Sequence, residues 1–378
     1  MSPSAALVVG VPREVKEGEH RVAITPDGVN ELTAHGVTVL VEHDAGADSA
    51  ISDAEYHGAG AEIVASAADV WVRAGMILKV KEPQEDELGH LRPGLVLFTY
   101  LHLAAYPGVA DALLEHHVTG IAYETVQPAD QSLPLLAPMS EVAGRMATQV
   151  GARFLERELG GRGVLLGGVP GVRPARVVVL GAGNVGWNSA WIAQGMAAEV
   201  LLLDKNLDRL RWVDQIHQGR IVTLASNRGA VTRAVVDADL VIGAVLVPAG
   251  RAPVVVTEDM VRAMKPGAVI VDVAVDQGGC IETTHETTHS DPVYEVHGVL
   301  HYAVGNMPAA VPFTSTYALT NATLPYALTL AVHGVAAATS ADAALGHGVN
   351  TLAGAVTHPI VAEALGRTYV PLEDALRS

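Results

Sequence analysis

Cysteine is almost missing from this sequence: Cys280 stands alone in 378 residues. That excludes an intrachain disulfide framework and makes a structural zinc site built on thiolates untenable. A reducing compartment, the cytoplasm, is the natural reading. Aromatic residues make up only 4% of the chain, so its cores must be filled by aliphatic side chains. Positive charge is short as well, with 24 Lys and Arg against 41 Asp and Glu and a formal net charge of −17. A nucleic-acid partner is therefore not expected, because its phosphates would be repelled. Long apolar runs are missing too. The most apolar region, 177–203, is interrupted by glycines and by Asn184, Asn188, Gln194 and Glu199, against the roughly 20 unbroken apolar residues of a membrane span. No transmembrane helix and no membrane partner are expected. Residues 1–11 lack a basic stretch and lead into Arg13 and Glu14, so they do not read as a signal peptide. The 16 histidines form no H-E-x-x-H or comparable pattern, and no metal is expected. Glu124 and His333 have the side chains for a shared magnesium ion, but nothing in their spacing argues for one.

Short aliphatic runs are abundant. One of them, Arg176-Val-Val-Val-Leu180, feeds directly into a G-x-G-x-x-G of Gly181, Gly183 and Gly186. The first glycine permits a tight turn, the second lets backbone N–H groups approach a pyrophosphate, and the third lets the following helix pack against the strand. A helix-like segment follows over 187–196, then Val200-Leu-Leu-Leu203 ending on Asp204. An acid about 20 residues beyond such a loop meets the adenosine ribose 2′-hydroxyl and repels a 2′-phosphate. The expected cofactor is accordingly NAD.

Before this unit, strand-like runs recur at 7–9, 37–41, 76–78, 95–98 and 121–123, separated by helix-like segments; after it they recur at 240–244, 269–272 and 300–303. Such alternation predicts an α/β protein with doubly wound, largely parallel sheets, two Rossmann-like domains in all. The first part carries no glycine fingerprint and reads as a substrate domain. From residue 307 the chain turns helical and alanine-rich, too little for a domain of its own. The expected plan is a discontinuous substrate (catalytic) domain, 1–133 plus 307–378, interrupted by an NAD-binding domain over 134–306. No internal repeat is visible.

An NAD-dependent dehydrogenase needs a cation for the substrate carboxylate and an acid/base group at the reacting carbon. Arg21 suits the first, since guanidinium binds carboxylates in a bidentate fork. Lys81 closes Leu78-Lys-Val-Lys81, where period-two alternation places Lys79 and Lys81 on one face. His102 follows an apolar strand, and imidazole titrates near neutrality. Asp276 lies just past a strand of the nucleotide domain, and open α/β sheets bind ligands at strand carboxyl ends. By position alone each of the four is more often structural than functional, and Asp272 reads equally as a turn or cap acid.

Assembled, these residues and their neighbours resemble the alanine dehydrogenases, a family that also takes in the NAD-binding subunit of proton-translocating transhydrogenase. The resemblance runs nearly end to end, through Arg21-Val-Ala-Ile-Thr-Pro26, Leu78-Lys-Val-Lys-Glu-Pro83, Leu101-His-Leu-Ala104, Ala122-Tyr-Glu-Thr-Val126, Ala137-Pro-Met-Ser-Glu-Val-Ala-Gly-Arg145, Asp276-Gln-Gly-Gly-Cys280 and Asn306-Met-Pro308. It implies reversible oxidative deamination of L-alanine by NAD to pyruvate, ammonium and NADH, usually by a homohexamer. Arg21 and Lys81 would hold the substrate, and His102 and Asp276 would be the catalytic pair. The cofactor would lie on Ser140, Gly181, Ala182, Gly183, Val185, Gly186, Asp204, Arg209, Ser226, Val245, Leu246, Val273, Val304, Gly305, Asn306 and Met307. Two departures stand out: Gly305 takes the place of an expected alanine, and Trp187 adds bulk beside the third glycine. Another small amino acid as substrate, hydride exchange between two dinucleotides, or a non-enzymatic NAD-binding module remain as alternatives.

Overall fold

The computed structural model describes residues 7–245 and 252–377. Its strands, in chain order, are β1 (Val9–Val11), β2 (Val39–Glu42), β3 (Glu62–Val64), β4 (Met76–Leu78), β5 (Val96–Thr99), β6 (Thr119–Ala122), β7 (Arg176–Leu180), β8 (Glu199–Asp204), β9 (Val222–Ala225), β10 (Leu240–Gly243), β11 (Val269–Asp272), β12 (Val293–Val296), β13 (Val299–Tyr302), β14 (Val349–Leu352) and β15 (Ala355–Val356). The chain divides into two compact units, one made of residues up to Met139 together with those from Ala309 onward, the other of Ser140–Pro308.

In the first unit the sheet order is β15-β14-β6-β5-β4-β1-β2-β3. The strands β1 to β6 are all parallel, and β14 and β15 extend the sheet antiparallel beyond β6. Every residue of β1, β4, β5 and β6 is buried, as expected for parallel strands covered on both faces. Gly10 sits mid-strand because a side chain there would stand 2.6 Å from the Ala74 Cβ, so the helix Ala67–Arg73 approaches closely.

In the second unit the order is β12-β13-β11-β10-β7-β8-β9, parallel throughout except for β12 on one edge. Counting only parallel strands, both sheets run 3-2-1-4-5-6. The winding reverses between β1 and β4 in one and between β7 and β10 in the other, the point at which doubly wound sheets bind ligands. A repeat is thus present in topology although none was visible in the residues. The strands β3, β9 and β12 were not foreseen; each carries at least one exposed or half-buried position and no continuous apolar run.

Residues 307–378 supply more than helix, since β14 and β15 lie among them. Their longest element, Pro312–Ala341, carries Pro325 and is broken by a non-helical Gly334 at φ 75°. By length and apolarity alone it could span a membrane, a property that core helices of globular proteins share. Within its unit, however, it buries hydroxyls as well as aliphatics: Thr316 Oγ1 accepts the Val22 N–H at 3.1 Å and bonds Ser49 Oγ at 2.9 Å.

Candidate active site

Three of the four expected reacting residues follow carboxyl ends of strands in the first unit. Beyond β4, Lys79 and Lys81 share a sequence face but have different surroundings. Lys79 is fully buried, with Nζ 3.0 Å from Glu14 Oε2 and 2.9 Å from Glu87 Oε1. A buried charge needs such partners. The other Glu14 oxygen accepts the Val80 N–H at 2.5 Å and the Lys81 N–H at 3.4 Å. This network fixes the backbone that presents Lys81. The Lys81 ammonium itself makes no hydrogen bond or ion pair with any described residue. Burial pushes its pKa below that of free lysine, and the charges of Arg21 and Lys16 push the same way.

Arg21 is 2% exposed, not the solvated charge that its position alone would make commonest. Its Nε and one terminal nitrogen form a fork with Glu19, at 2.6 and 2.5 Å, and the other terminal nitrogen meets Met139 Sδ at 2.9 Å. Glu19 therefore holds the planar guanidinium in one orientation. Next to this group lies Tyr100, whose hydroxyl donates to Leu135 O at 2.6 Å and whose ring is 5.7 Å from that of His102.

His102 has φ 45°, a left-handed backbone that costs a residue with a side chain roughly 1–2 kcal/mol. Glu124 supplies the compensation, because Oε1 accepts the His102 N–H at 2.6 Å and both oxygens lie 3.3 Å from the Leu101 N–H. Its carboxylate thus clamps the turn that carries the imidazole. Residue type gave no sign of this, since the bond joins residues 22 apart.

The second unit contains the remaining expected positions. Gly181 has φ 103°, and a Cβ there would meet Ala244 O at 2.5 Å. At Gly186 a Cβ would stand 1.8 Å from Gly181 O, whereas at Gly183, the residue before the helix Asn184–Gly195, it would enter open space. That combination fits a dinucleotide: two glycines forced by packing, and a third leaving the helix N-terminus open to a pyrophosphate. Asp204 Oδ2 accepts the Ala182 N–H at 2.6 Å and Oδ1 the Asn206 N–H at 2.7 Å, while Asp204 O accepts from Ser226 at 2.8 Å. The acid consequently ties the glycine loop to the next strand, bringing Ala182, Asp204 and Ser226 together. Val185, Val245, Val273 and Ser140 are half-buried and Arg209 is exposed; Leu246 lies outside the described residues. Trp187 is accommodated by Trp191, 5.5 Å away and stacked, by Trp212, and by His217, to which its indole N–H donates at 3.1 Å.

Asp276 lies on the 3-10 turn Val273–Gln277 that follows β11. Asp272, 1% exposed, holds that segment: Oδ1 accepts from Ala274 N–H at 3.1 Å, and Oδ2 from Cys280 and Ile281 N–H at 3.0 and 3.3 Å. Burial raises the pKa of both Asp272 and the Cys280 thiol. Asp276 Oδ1 in turn accepts the Asn306 N–H at 3.2 Å. The turn expected beside the nicotinamide, with Val304 and Met307 buried and Asn306 at φ 55°, is therefore tied to the expected catalytic carboxylate.

Among the described residues one group offers three side-chain ligand atoms within 4.8 Å, His43, Asp44 and Asp53. Both imidazole nitrogens already face carboxylates, and hydrogen bonding to Asp53 raises the His43 pKa.

Comparison with known proteins gives one consistent result. Residues 10–143 match the model of the alanine dehydrogenase/PNT N-terminal domain and residues 147–359 that of the C-terminal domain. An alanine dehydrogenase of Methanococcus maripaludis is 55% identical over 98% of this chain and 100% of its own. One of Mycobacterium tuberculosis is 57% identical over 95% of this chain and 96% of its own. Among solved structures, an L-alanine dehydrogenase superposes with a TM-score of 0.92 at 50% identity, covering 95% of this chain and 99% of that one. A transhydrogenase from Sinorhizobium meliloti superposes at 0.80 with 27% identity, covering 93% and 99%.

Proposed function

Because the chain belongs to the alanine dehydrogenase/PNT family, we propose that it is an L-alanine dehydrogenase, taking L-alanine, water and NAD to pyruvate, ammonium, NADH and a proton, and also running the reverse amination. The observation that carries this reading is identity above 50% to curated alanine dehydrogenases over nearly the full length of both chains.

When bound, NAD supplies the acceptor for the hydride that leaves the alanine Cα. Gly181, Ala182, Gly183, Val185 and Gly186 would hold its pyrophosphate, Asp204 its adenosine ribose, and Val304, Gly305, Asn306 and Met307 its nicotinamide end. Ser140, Arg209, Ser226, Val245, Leu246 and Val273 complete the proposed lining. The Asp204 carboxylate also disfavours a 2′-phosphate, so NAD rather than NADP is the proposed cofactor.

Arg21, oriented by Glu19, would bind the substrate carboxylate. Lys81, with no acid paired to it, would polarise that carboxylate or the forming carbonyl oxygen. Asp276 would take the amine proton, release it to solvent as the proton of the overall reaction, and then take a proton from the water that adds to the iminium carbon. His102 would stabilise the carbinolamine and pass on a proton as ammonium departs. The proposed setting is the cytoplasm and the proposed assembly a homohexamer, as the family resemblance implies.

The test is NADH absorbance with L-alanine and NAD at alkaline pH, alongside consumption with pyruvate, ammonium and NADH. Turnover in both directions is expected, with loss of about 100-fold or more in kcat for Asp276→Asn and His102→Ala, the scale of general acid–base catalysis. NAD binding without turnover in either direction would overturn the activity. Near-wild-type kcat in either variant would remove that residue from the mechanism.

A further inference from the structure

Gly305 departs from the alanine that the family resemblance implies, and a glycine beside a left-handed residue ought to free the turn. The turn is instead enclosed. A Cβ built on Gly305 would stand 2.0 Å from Glu286 Oε1, 3.0 Å from Glu286 Cδ and 3.2 Å from Asp276 Oδ1. The Glu286 carboxylate thus fills the volume that an alanine methyl would take.

The rest of the segment follows the same path. Thr287 pairs with Val304, its N–H donating to Ala303 O at 2.9 Å, and Gly305 N–H donates to Thr287 O at 3.3 Å. His289 Nε2 lies 3.4 Å from Asn306 O. Asp276 accepts from the Asn306 N–H. Residues 286–289 and Asp276 together border Gly305 and Asn306, and the Glu286 side chain comes nearest the vacant side-chain position, with Asp276 Oδ1 next to it. Asn306 meanwhile holds φ 55°, a conformation that persists only where its surroundings impose it.

We propose that Glu286 is a positioning residue of this enzyme: its side chain stands in for the missing methyl of Gly305 and keeps the Gly305–Asn306 turn, and with it Asp276, in place for reaction. It acts by shape through the turn and touches neither substrate nor reacting atoms. The proposal rests on Asp276 being part of the reaction centre of an alanine dehydrogenase.

Four variants test it: Glu286→Ala, Glu286→Gln, Gly305→Ala, and Glu286→Ala with Gly305→Ala. Glu286→Ala leaves the turn unfilled, and kcat for alanine oxidation is expected to fall about tenfold, a modest instance of the cost of misplacing a reacting group. The melting temperature should not change, since Glu286 is exposed, and KM for pyruvate should not, since in this proposal Glu286 makes no contact with the substrate. Glu286→Gln keeps the shape and should keep wild-type kcat. Gly305→Ala alone sets a methyl against both Glu286 and Asp276, so it serves as the background for the double variant rather than as a neutral control. The double variant, with a methyl where the carboxylate stood, should recover part of the Glu286→Ala loss. Glu286→Ala with unchanged kcat, or a double variant no better than Glu286→Ala, would overturn the proposal, as would Glu286→Gln as impaired as Glu286→Ala. A wild-type protein inactive with alanine would instead strike the activity on which it rests, so the two failures are distinct.

Discussion

Lys79 and Lys81 differ by two positions and have opposite fates. Two buried carboxylates hold the Lys79 proton, and removing Lys79 would leave both acids buried without a counter-charge, a loss on the order of 3–5 kcal/mol. Lys81 lacks such a partner and is pushed toward its neutral form first by burial and then by Arg21 and Lys16. Its cationic form, which is the one that holds a carboxylate, is therefore lost at a lower pH than free lysine's 10.5. The kcat/KM for pyruvate should accordingly decline on an alkaline limb whose midpoint lies below 10.5, because this ratio reports the free enzyme. In Lys81→Arg, whose guanidinium does not titrate there, that limb should vanish even if the maximum falls; an unchanged limb would show that another group titrates. At this scale the sequence revealed residue type and motif, enough to single out Arg21, Lys81, His102 and Asp276. It could not reveal Glu14, Glu19, Glu124 or Glu286, because a carboxylate's role is set by its partner, and Glu14 meets its own 65 and 66 residues away.

β7, the glycine loop and the helix after it were legible because three demands coincide there: aliphatic burial, a positive φ and close helix approach. β13 illustrates the opposite case. Its apolar run was recognisable, yet His301 within it is fully buried, accepts from Thr283 Oγ1 at 2.8 Å and donates through Nδ1 to Val299 O at 3.0 Å. Burial above all lowers its pKa to about 4, whereas an unfolded chain protonates near 6.5. Between those values the unfolded state binds more protons. Stability should therefore fall as pH drops from about 6.5 to 4, by at most about 3 kcal/mol from this group. Urea unfolding of the second unit, followed through Trp187, Trp191 and Trp212, should show that pH dependence, and His301→Asn should flatten it. Equal slopes in the two proteins would refute the assignment. The strands β3, β9 and β12 escaped detection for a related reason: partial exposure erases the aliphatic run on which recognition depends.

For the whole molecule, the two doubly wound units share one strand order, although only one has the glycine fingerprint. At the other switch point charged side chains take the place of glycines, so similarity of sequence did not reveal similarity of topology. The antiparallel β14 and β15 were hidden among helical, alanine-rich residues. The assembly is a matter for light scattering: a homohexamer should elute at six times the 39.3 kDa chain mass, and a dimer or monomer at working concentration would exclude it.

β14 lies against β6, with Gly120 N–H donating to Thr351 Oγ1 across a sequence separation of 231. During translation, all of the second unit has therefore been synthesised before the edge of the first can close. The second unit is contiguous and finishes on its own; the earlier strands must wait with β6 exposed as an open edge, the kind of surface through which chains join one another. A ribosome that stalls after residue 308 would leave a finished second unit attached to a first unit whose open edge invites self-association.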